Sequence, residues 1–515
     1  MRACAVRVFA TFIILPTLLG LPGCVHQVKR KEWRPDQLAS IDRTSPFLKA
    51  HARDGTAFVF SRWSVDSVGP VIRGPGRLLG INRETVREGT LSVPLDSVAL
   101  FETNVVSNHP GVAALAVISG ISAIVTIICL TDPKACFGSC PTFYAWDGER
   151  ELLQAEGFSA SVSPVLEKTD LDALYRARPR TRDFELHMRN EALETHVVRS
   201  VEVLAVPRPA GGRVFADGAD GFWQAHEPVA PRAARAAGGD CAAALRGFDG
   251  VERFSLADST DLAARETIDL EFPEGPPGDY GLVVATRQTL MSTYLFYQGL
   301  AYLGHQAGEW LAALERSDAR TRARAFGTGA ALGGIEVLVP EGAGWTPVGE
   351  VKETGPLAAD AHLVVLPRSA LAPDRVRLRL TRGAWRLDWV GLARLEGRVE
   401  PVRLQPVRVM RGTAADEDAR QRLLDPARAL VTMPGDDYTL AYRLPEEPGR
   451  YELFLSSRGY YLEWMRDEWI AEENPARAAL MFTDPHGALR AMAPEFKRGE
   501  AEMEALFWGS RYARP

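Results

Sequence analysis

Residues 183–206 read DFELHMRNEALETHVVRSVEVLAV, a stretch in which apolar side chains alternate with polar ones. Phe184, Leu186 and Met188 fall on one face of an extended chain, and the residues between them fall on the other. Such alternation is typical of a half-buried strand. The pattern resumes over 197–206 after a polar interruption, so this stretch predicts a β-hairpin that covers a hydrophobic core.

Short strand patterns separated by turn residues recur along most of the chain. They predict a mainly β fold with α, built from β-sandwich and β-barrel modules in several domains. We expect a small β-barrel-like domain at 46–106, a β-domain at 136–207 and a β-sandwich at 257–400. In the first of these, Gly74-Pro75-Gly76 predicts a tight turn rather than a phosphate-binding loop, because the glycine spacing misses the dinucleotide fingerprint.

Within the expected sandwich, Trp385-Arg-Leu-Asp388-Trp389 resembles the closing strand of a galactose-binding-like jelly roll. Modules of that kind bind sugars in some families, but a fold alone does not assign an activity. Aromatic residues in such strands belong to the core more often than to a sugar-binding platform.

Helical spacing of apolar residues appears in two places. It predicts an amphipathic helix at 290–314 and a C-terminal region, 401–515, in which strands give way to helices. The expected C-terminal helices cover 462–472, 477–482 and 488–508, with prolines between them. Residues 208–256 are rich in Ala, Gly, Arg and Pro, a composition that predicts a linker with at most one short helix.

The N-terminus has the order of a signal peptide. Arg2 and Arg7 precede an apolar run that ends in Leu21-Pro22-Gly23-Cys24. The cysteine at the cleavage point makes this segment resemble a bacterial lipoprotein signal. The resemblance implies cleavage after Gly23 and acylation of Cys24, so 1–23 would be the signal peptide and 24–45 a polar tether. The alternative is an ordinary signal peptide with a chance cysteine.

The residue after Cys24 bears on localisation. Val25 stands there instead of the aspartate that retains such lipoproteins in the inner membrane. By resemblance, we expect an outer-membrane lipoprotein of the cell envelope that faces the periplasm or the cell surface.

Residues 111–130 contain no charged side chain, which makes them a candidate membrane-spanning helix. Ala116 and Gly120, four residues apart, would allow close helix packing in lipid. One crossing would carry the rest of the chain into the cytoplasm, which conflicts with an outward-facing Cys24. A helical hairpin broken near Gly120, and a helix buried in a protein assembly, therefore remain open as alternatives.

Cys140-Pro-Thr-Phe-Tyr144-Ala-Trp-Asp147-Gly148 resembles the start of a β-domain in an uncharacterised group of bacterial envelope proteins. The similarity continues through 184–206, 459–469 and 507–511. The group has no established activity, so the resemblance implies a fold and nothing catalytic. In the plainest interpretation, Asp147 caps a turn, Gly148 takes a positive φ and the tryptophan packs.

The cysteines fit an oxidising compartment. Cys136 and Cys140 enclose only three residues, and Gly138 allows the bend that brings their sulfurs together. We expect a structural disulfide between Cys136 and Cys140. A redox-active pair and a zinc site are the alternatives, but the first lacks the Cys-x-x-Cys spacing and the second lacks a matching ligand pair.

Catalytic signatures are absent from the sequence: it has no His-Glu-x-x-His, Gly-x-Ser-x-Gly or phosphate-loop motif. His187 and His196 would face each other across the predicted hairpin, but two imidazoles without a third ligand are best interpreted as solvent-facing. Asp388, Glu463 and Asp467 are the carboxylates that a glycan-acting hydrolase would use. We therefore assign no catalytic, cofactor-binding or metal-ligating residue, and expect no cofactor.

Removal of residues 1–23 leaves 58 basic and 66 acidic residues, with the basic ones scattered. This balance argues against a nucleic-acid partner. The sequence thus predicts a lipid-anchored cell-envelope protein with a structural or binding role rather than an enzymatic one. Its expected partners are the membrane, reached through the acylated Cys24 and through 111–130, and other envelope proteins. The alternative is an envelope carbohydrate-binding protein or a glycan-acting hydrolase.

Overall fold

A computed structural model describes residues 26–108, 140–307 and 327–509, together with Trp310 and Asp318. Short stretches inside these ranges are excepted, at 34, 42, 44, 46–47, 53–55, 67–69, 80–84, 193, 220, 353–354, 369–372, 434, 446–448 and 464–470. The predicted mainly β architecture with a few helices is confirmed.

The N-terminal unit is a single antiparallel sheet, sheet 1, with strand order β1-β7-β2-β3-β5-β4 and β6 paired with β5. Its strands are β1 (His26–Trp33), β2 (Leu48–Ala52), β3 (Ala57–Phe60), β4 (Ser64–Val65), β5 (Val71–Leu79), β6 (Thr85–Pro94) and β7 (Val98–Asn108). The expected polar tether is thus wrong over 26–33, because this segment pairs with β7 along its length. The Trp33 indole N–H also donates to Thr103 Oγ1 at 2.9 Å.

The tight turn expected at Gly74-Pro75-Gly76 is also wrong, because these residues lie inside β5. A Cβ on Gly74 would come within 1.9 Å of the Arg62 carbonyl oxygen, and one on Gly76 within 2.3 Å of the Val59 oxygen. The glycines therefore allow a close approach of neighbouring backbone instead of a reversal.

The next strands are β8 (Thr142–Trp146), β9 (Glu151–Glu156), β10 (Lys168–Ala173), β11 (Asp183–Arg189) and β12 (Glu194–Pro207). β11 and β12 form where predicted, but the hairpin between them is wrong. β11 pairs with β8 and with a later strand at 437–443, whereas β12 pairs with one at 451–463. The two strands thus belong to facing sheets, because alternation specifies which face is apolar but not which strand lies beside it.

The middle of the chain supplies β13 (Gly212–Asp217), β14 (Phe222–His226), β15 (Ala233–Ala236), β16 (Gly239–Asp240), β17 (Arg253–Phe254), β18 (Arg265–Glu271), β19 (Tyr280–Gln288), β20 (Ile335–Glu341), β21 (Gly344–Val351), β22 (Asp360–Val365), β23 (Arg375–Thr381) and β24 (Trp385–Val399). The prediction of a linker over 208–256 is therefore wrong. Val214, Phe215 and Ala225 are buried core residues there, and their short strands are masked in sequence by the glycines and prolines of the turns. The predicted sandwich consequently begins near residue 212.

The C-terminal strands are β25 (Val402–Leu404), β26 (Arg408–Arg411), β27 (Ala414–Ala415), β28 (Leu430–Thr432), β29 (Asp437–Arg443) and β30 (Tyr451–Glu463). The α-helices of the described residues are α1 (Leu290–Leu303), α2 (Gly327–Leu332), α3 (Glu417–Leu424), α4 (Pro475–Thr483) and α5 (Pro485–Gly509), and 3₁₀ turns occur at 35–40, 95–97, 164–166, 242–245 and 304–306.

The helices expected at 477–482 and 488–508 are confirmed. The helix expected at 290–314 ends at Leu303, where Gly304 takes a φ of +50°. The start of the one expected at 462–472 instead completes β30, and 464–470 lie outside the described residues.

The sheets after residue 140 stack in four layers. Sheet 2 has the order β27-β26-β29-β11-β8-β9, and sheet 3 has the order β10-β30-β12-β25, with β28 beside β12. Sheet 4 has the order β14-β13-β22-β19-β24-β17, and sheet 5 has the order β16-β15-β18-β23-β20-β21. β24 pairs with β14 as well as with β19 and β17, so it closes sheet 4 on itself. The segments 142–207 and 402–463 share one sandwich.

Separate hydrophobic cores join successive layers. Leu186 of sheet 2 and Val203 of sheet 3 belong to one core, and Ile268 of sheet 5 and Leu282 of sheet 4 belong to another. A further core, the central core, contains side chains from sheets 3 and 4. Because sheets 3 and 4 are covered on both faces, strands such as β19 are almost continuously buried.

The C-terminal helices cover one edge of this stack. Met492 and Phe496 of α5 join the core between sheets 4 and 5. The Arg386 side chain of β24 is fully buried, and it ion-pairs with Glu252 at 3.4 Å and with Glu504 of α5. Since a buried guanidinium is costly without a partner, the ion pair with Glu504 fixes α5 against sheet 4.

The central core provides a direct test of the stack. The Phe454 ring lies 4.9 Å from that of Phe222 and 5.7 Å from that of Tyr175, measured between centroids. We expect Phe454→Ala to lower the free energy of unfolding by about 3–5 kcal/mol, because it leaves a cavity between sheets 3 and 4. The measurement is urea denaturation monitored by circular dichroism.

Val407→Ala is the matched control, because Val407 is 60 % exposed. We expect it to change the free energy of unfolding by no more than about 0.5 kcal/mol. Equal effects of the two substitutions would contradict the packing of sheet 3 on sheet 4.

Candidate functional site

A cleft of about 640 Å³ opens where the edges of sheets 3 and 4 meet. Its walls are the segment 174–179 after β10, the segment 246–248, and the ends of β12, β13 and β30. A volume of this size fits an ordered organic ligand. The cleft is therefore the candidate functional site of the described residues.

Aromatic rings form the inner wall of the cleft. Tyr175 is buried, donates its hydroxyl to the Val214 carbonyl oxygen at 2.7 Å and packs edge-on against Phe215 and Phe248. Burial raises the pKa of the Tyr175 hydroxyl well above its usual range. The phenol therefore stays neutral, and it acts as a rigid wall that links the central core to the cleft.

Asp388 supports the part of the wall around Phe248. Its Oδ1 accepts hydrogen bonds from the Gly250 N–H at 2.9 Å and the Asp249 N–H at 3.2 Å, and its Oδ2 lies 3.3 Å from Arg176 Nη2. The Arg176 guanidinium in turn stacks over the Phe248 ring at 4.4 Å. One buried carboxylate thus fixes both the segment around 248 and an arginine of the cleft.

Glu452 organises a further part of the wall. Its Oε1 accepts from Arg213 Nε at 2.6 Å and lies 3.7 Å from Arg208 Nη1. The Arg213 guanidinium lies 4.7 Å above the Tyr175 ring. Burial is the largest influence on the pKa of Arg213 and lowers it, but Glu452 and the other partners together raise this pKa above its usual value. Glu227, which is exposed, lies 3.9 Å from Arg213.

Arg178 and Arg246 complete the polar lining. Arg178 Nη1 donates to the carbonyl oxygens of Tyr175 at 2.6 Å and Ala177 at 2.9 Å. The backbone of Arg246 forms a β-bridge with Trp389, which places this residue on the cleft wall. Both side chains belong to exposed residues.

A small acidic cavity of about 10 Å³ lies at the same junction, on β10 just before the cleft. The carboxyl groups that line it belong to Glu156, Asp170, Asp172 and Asp360. Desolvation, and then repulsion by Asp170, Asp360 and Glu156, raise the pKa of Asp172 well above its usual range. These conditions favour the uncharged acid form of Asp172.

The acidic cavity also connects the layers. Asp360 Oδ1 of sheet 4 accepts from the Ala173 N–H of sheet 3 at 2.8 Å. Glu156 Oε2 of sheet 2 accepts from the backbone N–H groups of Leu357 at 2.5 Å and Ala358 at 3.0 Å. Within the residues that the structure describes, no three His, Cys, Asp or Glu side chains converge in a way that would hold a metal ion. The carboxylates here therefore act as hydrogen-bond acceptors between sheets.

Cys140 is buried beside this cavity, with a φ of +92°. Its N–H donates to Glu194 Oε1 at 2.5 Å, and its sulfur lies 3.7 Å from Glu156 Oε1. No disulfide joins cysteines among the described residues, and Cys136 lies outside them. The Cys136–Cys140 disulfide stays a prediction.

The two histidines do not face each other across a hairpin. His196 is fully buried, with Nε2 2.7 Å from Glu194 Oε1, so its solvent-facing assignment is wrong. His187 is half-buried on sheet 2, and its Nδ1 lies 3.5 Å from Glu151 Oε1. The sequence did not predict the Glu194–His196 pair, because a glutamate and a histidine two residues apart at the polar start of a strand form no recognisable motif.

The Trp146-Asp147-Gly148 turn follows the expected chemistry. Asp147 Oδ1 accepts from the N–H groups of Glu149 and Arg150, both at 2.8 Å, and Gly148 has a φ of +113°. These backbone hydrogen bonds lower the pKa of Asp147. Trp146 lies under the Arg180 guanidinium at 4.5 Å instead of in the core.

The structure does not show the carboxylates of the expected glycan-acting site as a facing pair. Asp388 lies on sheet 4 with the partners described above, whereas Glu463 ends β30 in sheet 3 and is in register with Glu194. Asp467 lies outside the described residues. Asp388 therefore supports the cleft wall, and sequence reasoning identified this residue but not its role.

The lipidation and cleavage residues Cys24 and Gly23 lie outside the described residues, as does the apolar segment 111–130. Among the helices that the structure describes, none combines the length and apolar character needed to cross a bilayer.

The arginines of the cleft were not singled out from the sequence. Arg176 and Arg178 stand in a short Arg-x-Arg-x-Arg run at 176–180, which was the one local signal available. Arg213 and Arg246 lie in the segment that composition suggested was a linker. No protein-family model matches the sequence, and comparison with curated proteins gave no match.

The contribution of Asp388 to the stability of the protein depends on pH. Burial is the largest influence and raises this pKa from 3.8 to about 6. Because the folded state holds this proton more tightly than the unfolded state, Asp388 makes the protein less stable as the pH rises from about 4 to about 6, by up to about 3 kcal/mol. We expect Asp388→Asn to remove that contribution.

The measurement is the free energy of unfolding of both proteins across this pH range. The difference in stability between Asp388→Asn and the wild type should move in favour of the variant as the pH rises. Glu149→Gln, at an exposed position, should leave the pH profile of the wild type unchanged. Parallel profiles for Asp388→Asn and the wild type would show that Asp388 is not the titrating group.

Proposed function

We propose that this chain is a lipid-anchored protein of the bacterial cell envelope that binds a ligand in the cleft between sheets 3 and 4. The observation that carries the proposal is the cleft itself, about 640 Å³ with an aromatic inner wall and several arginines in its lining. Concave sites with a few fixed polar groups are the usual form of small-ligand sites.

The polar groups of the cleft support binding rather than hydrolysis. Asp388 and Glu452, the buried carboxylates at its walls, already accept hydrogen bonds from arginines and backbone N–H groups. A glycosidase needs two carboxyl groups that face the scissile bond across a gap, one as acid and one as base or nucleophile. The partners of Asp388 and Glu452 instead give these residues a positioning role.

The lipid anchor is supported by the N-terminal sequence. Cys24 would be the first residue after cleavage, and β1 begins at His26. Acyl chains on Cys24 would then hold sheet 1 at the membrane surface with almost no intervening chain. Val25 supports placement at the outer membrane. Such an anchor would present the cleft, on a separate module, to ligands of the envelope.

The anchor is testable by metabolic labelling with a fatty-acid analogue in a Gram-negative host. We expect label on the wild type and none on Cys24→Ser, because the thiol and the new N-terminus are the acylation sites. Cys241→Ser is the matched control and should keep its label. Label on Cys24→Ser would contradict the lipoprotein assignment.

The cleft is testable with a panel of envelope-derived oligosaccharides and their charged fragments. Gly247 lines the cleft, and a Cβ there meets no atom within 4 Å. We expect Gly247→Trp to reduce the affinity for any ligand of the panel by at least about tenfold, because the indole occupies ligand volume. Binding is measured by isothermal titration calorimetry.

Gly218→Trp is the matched control, since Gly218 is exposed, lies outside the cleft and also has open space at its Cβ. It should bind like the wild type. A ligand that binds both variants equally well would place the binding site elsewhere.

A further inference from the structure

Positive charge is concentrated in the cleft of an otherwise acidic protein. The chain has a formal net charge of −6, yet the cleft is lined by arginines 176, 178, 208, 213 and 246 against the glutamates 227 and 452. A concave surface lined by one sign of charge attracts ligands of the opposite sign.

Part of this charge is already neutralised by the protein. Arg176 pairs with the buried Asp388, and Arg213 pairs with Glu452. Arg208 lies 3.7 Å from the same Glu452 and donates to the Gly449 carbonyl oxygen at 2.8 Å. These three arginines therefore belong to the framework of the walls.

Arg178 and Arg246 differ from the other three. Within the described residues, neither is within ion-pair distance of a carboxylate. The bonds that Arg178 makes to carbonyl oxygens use Nη1, so that its Nε and Nη2 donors can serve a ligand. These bonds also fix the guanidinium plane, which lowers the entropy lost when a ligand is bound.

We infer that the cleft binds a ligand that carries a phosphate or carboxylate group, and that Arg178 and Arg246 bind this oxyanion. The inference rests on the proposed binding role and names its ligand class. A guanidinium presents parallel N–H donors that match the oxygens of either group, and such charge-assisted hydrogen bonds are among the strong ones. The partly buried Phe248 and Tyr451 in the lining would contact the uncharged body of the ligand.

A neutral sugar would gain little binding energy from these two arginines. Two cations without a carboxylate partner would lose hydration when the ligand arrives and would gain only neutral hydrogen bonds in exchange. An oxyanion replaces that hydration with charge-assisted hydrogen bonds. The arrangement of Arg178 and Arg246 therefore favours anionic ligands over neutral ones of the same size.

The test is isothermal titration calorimetry of the full chain with inorganic pyrophosphate, a uronic-acid disaccharide and a neutral disaccharide. We expect the wild type to bind at least one of the two anions and to bind the neutral sugar more weakly. The first two arms distinguish phosphate from carboxylate as the recognised group. Arg178→Gln and Arg246→Gln should each weaken anion binding about tenfold. Raising the salt concentration should weaken it as well.

Arg235→Gln is the control, because Arg235 is 68 % exposed, pairs with Glu271 and lies outside the cleft. It should bind like the wild type, and circular dichroism checks that each variant is folded. Failure of both anions to bind, or equal affinity for wild type and both cleft variants, would overturn the inference. If Gly247→Trp abolishes the binding of a panel ligand while Arg178→Gln and Arg246→Gln leave that binding unchanged, the oxyanion inference is overturned and the proposed binding role stands.

Discussion

The packing of sheet 3 against sheet 4 is the interaction on which the rest of the structure depends. Tyr175 and Phe454 from one side meet Phe215 and Trp389 from the other in the central core. Without this contact, each sandwich would expose an apolar sheet face to water, because both sheets are apolar on both sides. The contact also makes the cleft, since the walls of the cleft are the sheet edges and segments that the packing brings together.

Polar groups at the margin of this contact are arranged to avoid isolated charge. Asp172 lies among other carboxyl groups and its acid form is favoured, while Asp388 pairs with Arg176 and with backbone N–H groups. A buried charge without a partner would cost several kcal/mol. The walls of the cleft therefore combine strong internal pairing with two outward arginines, Arg178 and Arg246, whose charge the walls do not neutralise.

The strand pattern of the sequence predicts the elements well and their partners poorly. Alternation at 183–189 located β11, but the hairpin to 194–207 failed because alternation carries no information about neighbours. The segment 208–256 was misjudged because its strands are short and its turns dominate the composition. Of the side chains that form or support the cleft, the sequence pointed to Asp388, and it did so as a candidate catalytic carboxylate rather than as a support of the wall. A site built from residues 174 to 453 has no local signature, because tertiary packing alone brings its parts together.

Hydrogen–deuterium exchange of the ligand-free chain tests the four-layer stack most directly. If sheets 3 and 4 cover each other, Tyr280–Gln288 of β19 and Tyr451–Glu463 of β30 should exchange slowly and be lost together as denaturant is raised. This result would show that both sandwiches open as one cooperative unit. Rapid exchange of one strand while the other stays protected would contradict it, and would mean that the two sandwiches are independent and that the cleft between them is not a fixed site.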